Sequence, residues 1–210
     1  MTDPGLSALV GLSAALARRN PESLVEAMKD CLQLVGPEET EEVILQSYLF
    51  LGYPIALNAF SVWRQVSGRE AGEAVPDEWE EWSDRGRVVC RTVYGGQYEG
   101  LRRNVRDLHP DMERWMVVEG YGKVLGRPGL PLATRELCIA GMLAVLGAPR
   151  QLYSHLRGAL NAGAPPELVE SALATVADHM DGAEMARALG IWEEIRSRWV
   201  ESQGTGKNRG

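Results

Sequence analysis

The apolar positions keep a helical period along nearly the whole chain, and the strongest stretch is LATRELCIAGMLAVLGAPRQLYSHLRGALNAG, residues 132–163. Residues 134–146 are almost wholly apolar after Glu136, which predicts a helix buried on nearly every side. Gly147-Ala148-Pro149 then breaks the run, since glycine suits a left-handed helix end and proline the first turn of the next helix. That next helix carries Gln151, Ser154, His155 and Arg157 and stops near Asn161 and Gly163.

The rest of the chain reads in the same way. Residues 6–17 form a first apolar helix. Asn20-Pro21-Glu22-Ser23 is a helix start: a capping Asn, Pro in the first turn and an acid beside it. The helix that follows sets Leu24, Ala27, Met28, Cys31 and Leu32 on one stripe. Gly36-Pro37-Glu38-Glu39 opens a third helix with Val43, Ile44 and Tyr48, and Gly52-Tyr53-Pro54 breaks the chain before a helix with Leu57, Phe60 and Trp63 inward. Residues 69–84 shift in composition: Glu70, Glu73, Asp77, Glu78, Glu80, Glu81 and Asp84 make an acidic connector that Trp79 and Trp82 pin to the body. VVCRTVY, residues 88–94, is a β-favouring string without a partner strand, and reads as helix or extended connector. Residues 98–108 and 111–125 are helical, and Gly126-Arg127-Pro128-Gly129 turns into the central stretch. Pro165-Pro166-Glu167 starts another helix, Asp181-Gly182 breaks it, 183–200 is the last, and 204–210 is expected to be disordered.

Displaced by 128 residues, the pattern recurs. Asn20-Pro21-x-x-Leu24 meets Ala148-Pro149-x-x-Leu152, and Gly36-Pro37-Glu38-Glu39 meets Ala164-Pro165-Pro166-Glu167. The expectation is an all-α protein of two repeats about a pseudo-twofold axis. Its parts are a first repeat (1–68), an acidic connector with linking helices (69–126), a second repeat (127–200) and a tail (201–210).

Composition narrows the function classes. A net charge of −7 argues against general nucleic-acid or anionic-membrane binding, which need a basic surface. The longest apolar run falls short of the roughly 20 residues that cross a bilayer. The N-terminus has no basic leader, and Cys31, Cys90 and Cys138 form no C-x-x-C, so a reducing cytoplasm is expected, with the thiols as small core residues. No metal-ligand spacing or phosphate loop occurs, so neither metal nor other cofactor is expected.

Arg135-Glu136-Leu137, Leu146-Gly147 and Ser154-His155-Leu156-Arg157-Gly158-Ala159-Leu160-Asn161-x-Gly163 together resemble the carboxymuconolactone decarboxylase family. Leu49-x-Leu51-Gly52-Tyr53-Pro54-x-Ala56-Leu57-Asn58-Ala59 is similar to that family's C-terminal motif. The resemblance implies an all-α fold of the alkylhydroperoxidase D type. It also implies a homotrimer or other ring of two-repeat chains, because single-copy members form hexamers and the doubled relative a trimer. The family's peroxidase branch carries a C-x-x-C where this chain has Ala148 and Gln151, so a disulfide-cycling peroxidase is disfavoured. The decarboxylase branch keeps a glutamate and a histidine, as here.

The resemblance therefore implies decarboxylation or proton transfer on a small carboxylated lactone or related acid, in aromatic-compound degradation. Such a reaction needs a proton donor near neutrality, a cation for the substrate carboxylate and a dry pocket. His155 is the candidate acid/base and Glu136 its proton-sharing partner, with Arg157 and Arg135 as carboxylate anchors and Ser154 and Gln151 as orienting groups. A member without catalysis, binding a ligand or serving an oligomer, is the alternative. In an ideal hairpin Glu136 and His155 differ by about 7 Å along the axis, so direct contact needs a tilted crossing and a bridging water is the other solution.

Overall fold

A computed structural model describes residues 3–74 and 78–206, with side chains as far as residue 201; Pro76 and Asp77 of the acidic connector lie outside the described residues. The described chain is all-α, without a strand. Helices α1 (Pro4–Arg18), α2 (Pro21–Leu34), α3 (Pro37–Gln46), α4 (Tyr48–Leu51) and α5 (Tyr53–Ser67) precede the connector. After it come α6 (Trp79–Tyr94), α7 (Tyr98–Leu108) and α8 (Pro110–Trp115), which widens into a π-helical stretch, Met116–Leu125. Then follow α9 (Leu132–Val145), α10 (Pro149–Asn161), α11 (Pro166–Thr175) and α12 (Gly182–Gly206).

Local chemistry sets the helix starts. Asp3 accepts from Gly5 N and Leu6 N, and Asn20 from Glu22 N and Ser23 N, each ahead of a proline in the first turn. Gly147 has φ 66°, and Pro149 opens α10 directly after it. Every residue of α9 from Arg135 to Val145 is buried, and α1 lies along it at the centre of the bundle. Helix starts in the two halves recur at spacings of 128 or 129 residues: Pro4 and Leu132, Pro21 and Pro149, Pro37 and Pro166, Tyr53 and Gly182. One buried contact recurs too. Trp63 Nε1 donates to Glu41 (3.0 Å), and Trp192 Nε1 donates to Glu170 (3.3 Å).

Several elements depart from the sequence pattern. The acidic connector ends at Glu78, because Trp79 already begins α6. VVCRTVY is helical inside α6: Gly86, Cys90 and Val93 fall at i, i+4 and i+7 and are all buried, a helical stripe that the β-favouring residue types mask. Leu57 points outward, 64% exposed, since α5 buries Ala56, Ala59 and Trp63 instead. Helix α12 continues through residues 201–206, where nothing breaks a helix before Gly204. Trp82 is half-buried under Lys123, whereas Trp79 is 44% exposed with Arg114 above it.

Helix α6 and the π-helical stretch meet backbone to backbone. A Cβ at Gly86 would overlap Val117 O, and one at Gly122 would overlap Trp82 O, so glycine at both sites permits the approach. Arg85 Nε donates to Gly122 O at 2.7 Å, filling a carbonyl of the widened helix.

An ion cluster ties α7 to α8. Burial by itself would raise the Glu113 carboxyl, but hydrogen bonds from Arg102 (2.5 Å) and Arg106 (3.1 Å) outweigh it and hold the group below the usual carboxylate value. A depressed carboxylate contributes stability that is present above its unfolded value, near 4.3, and lost as pH falls through the folded value. Urea midpoints should therefore drop more steeply below about pH 5 in the wild type than in Glu113→Gln. Parallel curves would remove Glu113 from the acid response.

Candidate active site

The site forms where α9 and α10 cross. Glu136 is fully buried in the first turns of α9, and His155, 6% exposed, lies on the inner face of α10. They touch directly: His155 Nδ1 stands 2.8 Å from Glu136 Oε2. The axial offset of an ideal hairpin is overcome without a bridging group. Gly158 makes the room, because a Cβ there would overlap Glu136 Oε2 and stand 2.7 Å from Val93 Cγ1. Phe50 packs on the imidazole in a T-shaped contact, 5.5 Å between ring centroids.

A carboxylate at this distance favours the imidazole tautomer protonated on Nδ1 and leaves Nε2 as the working nitrogen. His155 lines a cavity of about 540 Å³. The cavity walls are Leu49 and Phe50 from α4, Tyr94 from α6, Met112 and Trp115 from α8, and Leu125 from the π-helical stretch. Its polar lining adds Gln151, Glu119 and two phenols, Tyr94 and Tyr121. The Tyr121 hydroxyl donates to the Tyr94 hydroxyl at 3.1 Å. Burial pushes both phenols above their ordinary range, and the Glu136 carboxylate adds to it, so both stay protonated donors. Glu136 Oε1 is buried without a hydrogen-bond partner among the described residues, so His155 is the carboxylate's one hydrogen bond there.

Of the six residues singled out from the sequence, His155, Glu136 and Gln151 come together. Arg135 does not. Its guanidinium is fully buried outside the cavity, donating to Glu42 (2.8 Å), Gln46 and the carbonyls of Arg127, Pro128 and Leu130. With all three nitrogens donating inside the core and none of the side chain exposed, it is not placed to anchor a substrate in the cavity. Arg157 is also absent from this cavity; it packs over the Tyr153 ring and lines a separate surface hollow with Gln97, Arg198 and Trp199. Ser154 bonds back to Arg150 O within its own helix. Trp63 is buried against Glu41, away from the cavity, whereas Tyr48 reaches Glu119 at 3.2 Å with Tyr53 stacked on it at 4.9 Å.

The cavity walls escaped the sequence reading. Tyr94 ended a string read as β-favouring, and Met116, Glu119 and Tyr121 share one wall through the π-helical turn, whose wider spacing ordinary helical periodicity does not register. The three cysteines are buried free thiols, and burial pushes Cys31, Cys90 and Cys138 each up to about 12. Thiols held protonated and out of solvent do not suit peroxidase chemistry.

Gly158→Ala tests the crossing. The added methyl should displace the Glu136 carboxyl and cost about 1–3 kcal/mol of stability. A chemical-denaturation curve that does not move would show that the carboxylate has room to relax.

Comparison with known proteins places these residues in context. The chain is similar to Peroxisomal protein 2 of Schizosaccharomyces pombe, 28% identical over 176 residues that cover 78% of this chain and 80% of that protein. It is also similar to 4-carboxymuconolactone decarboxylase of Acinetobacter baylyi, 37% identical over 60 residues, which are 29% of this chain and 45% of that enzyme. Among the described residues, no helix is long and apolar enough to cross a membrane, and no group of three or more metal-ligating side chains assembles. Residues 110–194 match the Carboxymuconolactone decarboxylase family, and this region holds Glu136, Gln151, His155 and the wall from Met112 to Leu125. Over that region, less than half of its length, the chain is similar to this family.

Proposed function

We propose that this chain is an acid–base enzyme of the carboxymuconolactone decarboxylase type, moving a proton to or from a carbon of a small molecule held in the His155 cavity. The observation that carries the reading is the 2.8 Å contact of His155 Nδ1 with buried Glu136 at the wall of a cavity large enough for a substrate. His155 Nε2 gives or takes the proton, and Glu136 is the positioning residue that holds the tautomer and balances the imidazolium once it forms. The paired Tyr94 and Tyr121 hydroxyls are donors for the oxyanion of an enolate or dienolate intermediate. Gln151 orients the substrate at the same wall.

Decarboxylation of a small carboxylated lactone is the finer form of this reading, supported by the similarity to 4-carboxymuconolactone decarboxylase. Breaking the bond to CO2 leaves its electron pair on the substrate carbon that bore the carboxylate, delocalised into a conjugated carbonyl, and His155 Nε2 then protonates that carbon. The test is CO2 release from γ-carboxymuconolactone by the purified protein. Turnover supports the lactone; its absence overturns that substrate, and ligand binding without any turnover would favour a non-catalytic binding protein.

The repeated helix starts and the repeated Trp–Glu contact support a duplicated plan for the two halves. An oligomer, a trimer or ring of such chains, belongs to the same proposal. Leu108 (84% exposed), Met112 (53%) and Trp115 (47%) present apolar surface beside the cavity mouth, which assembly would cover. Light scattering should give about three times the 23.1 kDa chain mass, and a monomer overturns the assembly.

A further inference from the structure

We infer that Glu119 is a second acid–base group of this cavity, and that with His155 it catalyses an allylic shift. One group takes a proton from the carbon beside a carbonyl, and the other returns a proton to the far end of the conjugated system. The inference rests on the acid–base reading of His155 and extends it from one proton transfer to two.

The two groups come from different elements and line one cavity of about 540 Å³, His155 from α10 and Glu119 from the π-helical stretch. The short helix α4 contacts both. Tyr48 Oη donates to Glu119 Oε1 at 3.2 Å, and Phe50 packs on the His155 ring. Residues two apart leave a helix in different directions, so α4 holds the carboxylate and the imidazole apart. Leu49, between Tyr48 and Phe50 in the chain, lines the cavity with them.

Each group also has its own partner, Glu136 for His155 and Tyr48 for Glu119. Burial, and then the Glu119 charge, push the Tyr48 phenol above its ordinary range, so it stays a donor and orients the carboxylate. That bond uses Oε1, and Oε2 has lone pairs of its own for a substrate proton.

The shift balances without a co-reactant. Glu119 Oε2 takes the proton from the α carbon, and the C–H electron pair enters the conjugated system as a dienolate. Its oxygen meets the Tyr94 and Tyr121 hydroxyls. His155 gives its Nε2 proton to the γ carbon; the dienolate supplies the new bonding pair, and the N–H pair stays on nitrogen. The product is an isomer of the substrate. Glu119 ends protonated and His155 neutral, and exchange with water resets both. The γ carbon is also the one that His155 protonates once a γ-carboxylated lactone has lost CO2, so both reactions use one placement of the ring. The substrate class is an unsaturated lactone or a related enolisable carbonyl compound.

Proton NMR in deuterium oxide tests this with the full chain and γ-carboxymethyl-β,γ-butenolide or its α,β isomer. The wild type should interconvert the two lactones and carry deuterium into the α and γ carbons. Glu119→Gln keeps the shape and the Tyr48 hydrogen bond but takes no proton. It should lose α exchange and interconversion by at least about 100-fold and still exchange the γ proton. His155→Ala should show the reverse, losing γ exchange and interconversion while α exchange continues. Wild-type rates at both carbons in Glu119→Gln would overturn the role of Glu119 and leave His155 as the acid–base group. Absence of interconversion in the wild type would overturn the shift, while CO2 release still judges the acid–base reading. Both exchanges surviving in His155→Ala would overturn that reading and the shift with it.

Discussion

His155→Ala should lower kcat by roughly 10²- to 10⁴-fold on any substrate the protein turns over, the range expected when a general acid or base is lost. The effect should fall on kcat more than on KM, since the cavity walls from Phe50, Tyr94 and Trp115 are untouched. Removing the imidazole also strands Glu136, a fully buried carboxylate with no other hydrogen-bond partner among the described residues. A stability loss of about 1–3 kcal/mol should accompany the change. The two effects separate with His155→Gln, whose amide can still donate to Glu136 and restore much of the stability but cannot shuttle a proton. Glu136→Gln completes the series. It keeps the volume and removes the charge that balances an imidazolium, so it should slow turnover less than loss of the histidine does. If His155→Ala keeps wild-type turnover while folded, the acid–base assignment is wrong, whatever the family.

How much of this was readable beforehand depends on the length scale of each interaction. Capping residues, first-turn prolines and the Gly147 helix end act within a few residues, and the structure has them as the sequence implies. The near-continuous apolar run of α9 made its burial legible, and with it the cost of placing Glu136 there without a partner. The pairing with His155 was legible as a pair of residue types. Its directness was not, because an ideal hairpin ignores the crossing of α9 and α10 and the absent side chain at Gly158.

The cavity is a different matter. Its walls come from α4, α6, α8, the π-helical stretch and α10, brought together only by the tertiary fold. The fate of the two arginines shows the same limit. Arg135 and Arg157 flank the motif in sequence, yet a buried helix such as α9 has several sides, and Arg135 turns toward Glu42 rather than the cavity. Charge type and sequence neighbourhood suggested an anchor; helical rotation sent one guanidinium into the core and the other to the surface.

Arg135 gives the largest expected effect on stability. Its guanidinium is completely buried, and Glu42, its ionic partner, also receives Arg127 at 3.0 Å. Three of its remaining acceptors are backbone carbonyls at Arg127, Pro128 and Leu130, in the turn that leads into α9. The guanidinium thus closes the entry to the helix that carries Glu136. Arg135→Leu keeps apolar volume but takes the guanidinium away from those carbonyls and leaves Glu42 with Arg127 as its ionic partner. Breaking a buried charged pair by removing one member costs about 3–5 kcal/mol, which for a chain of this size is roughly 6–20 °C in Tm. Arg135→Lys should recover little of it, because an ammonium is a point donor and cannot serve acceptors spread around a planar fork. Urea unfolding of the two variants checks both statements. A loss below about 1 kcal/mol in Arg135→Leu would show that the network is dispensable. Unchanged stability with weakened substrate binding would instead return Arg135 to the substrate, and with it the expectation of a carboxylate anchor on α9.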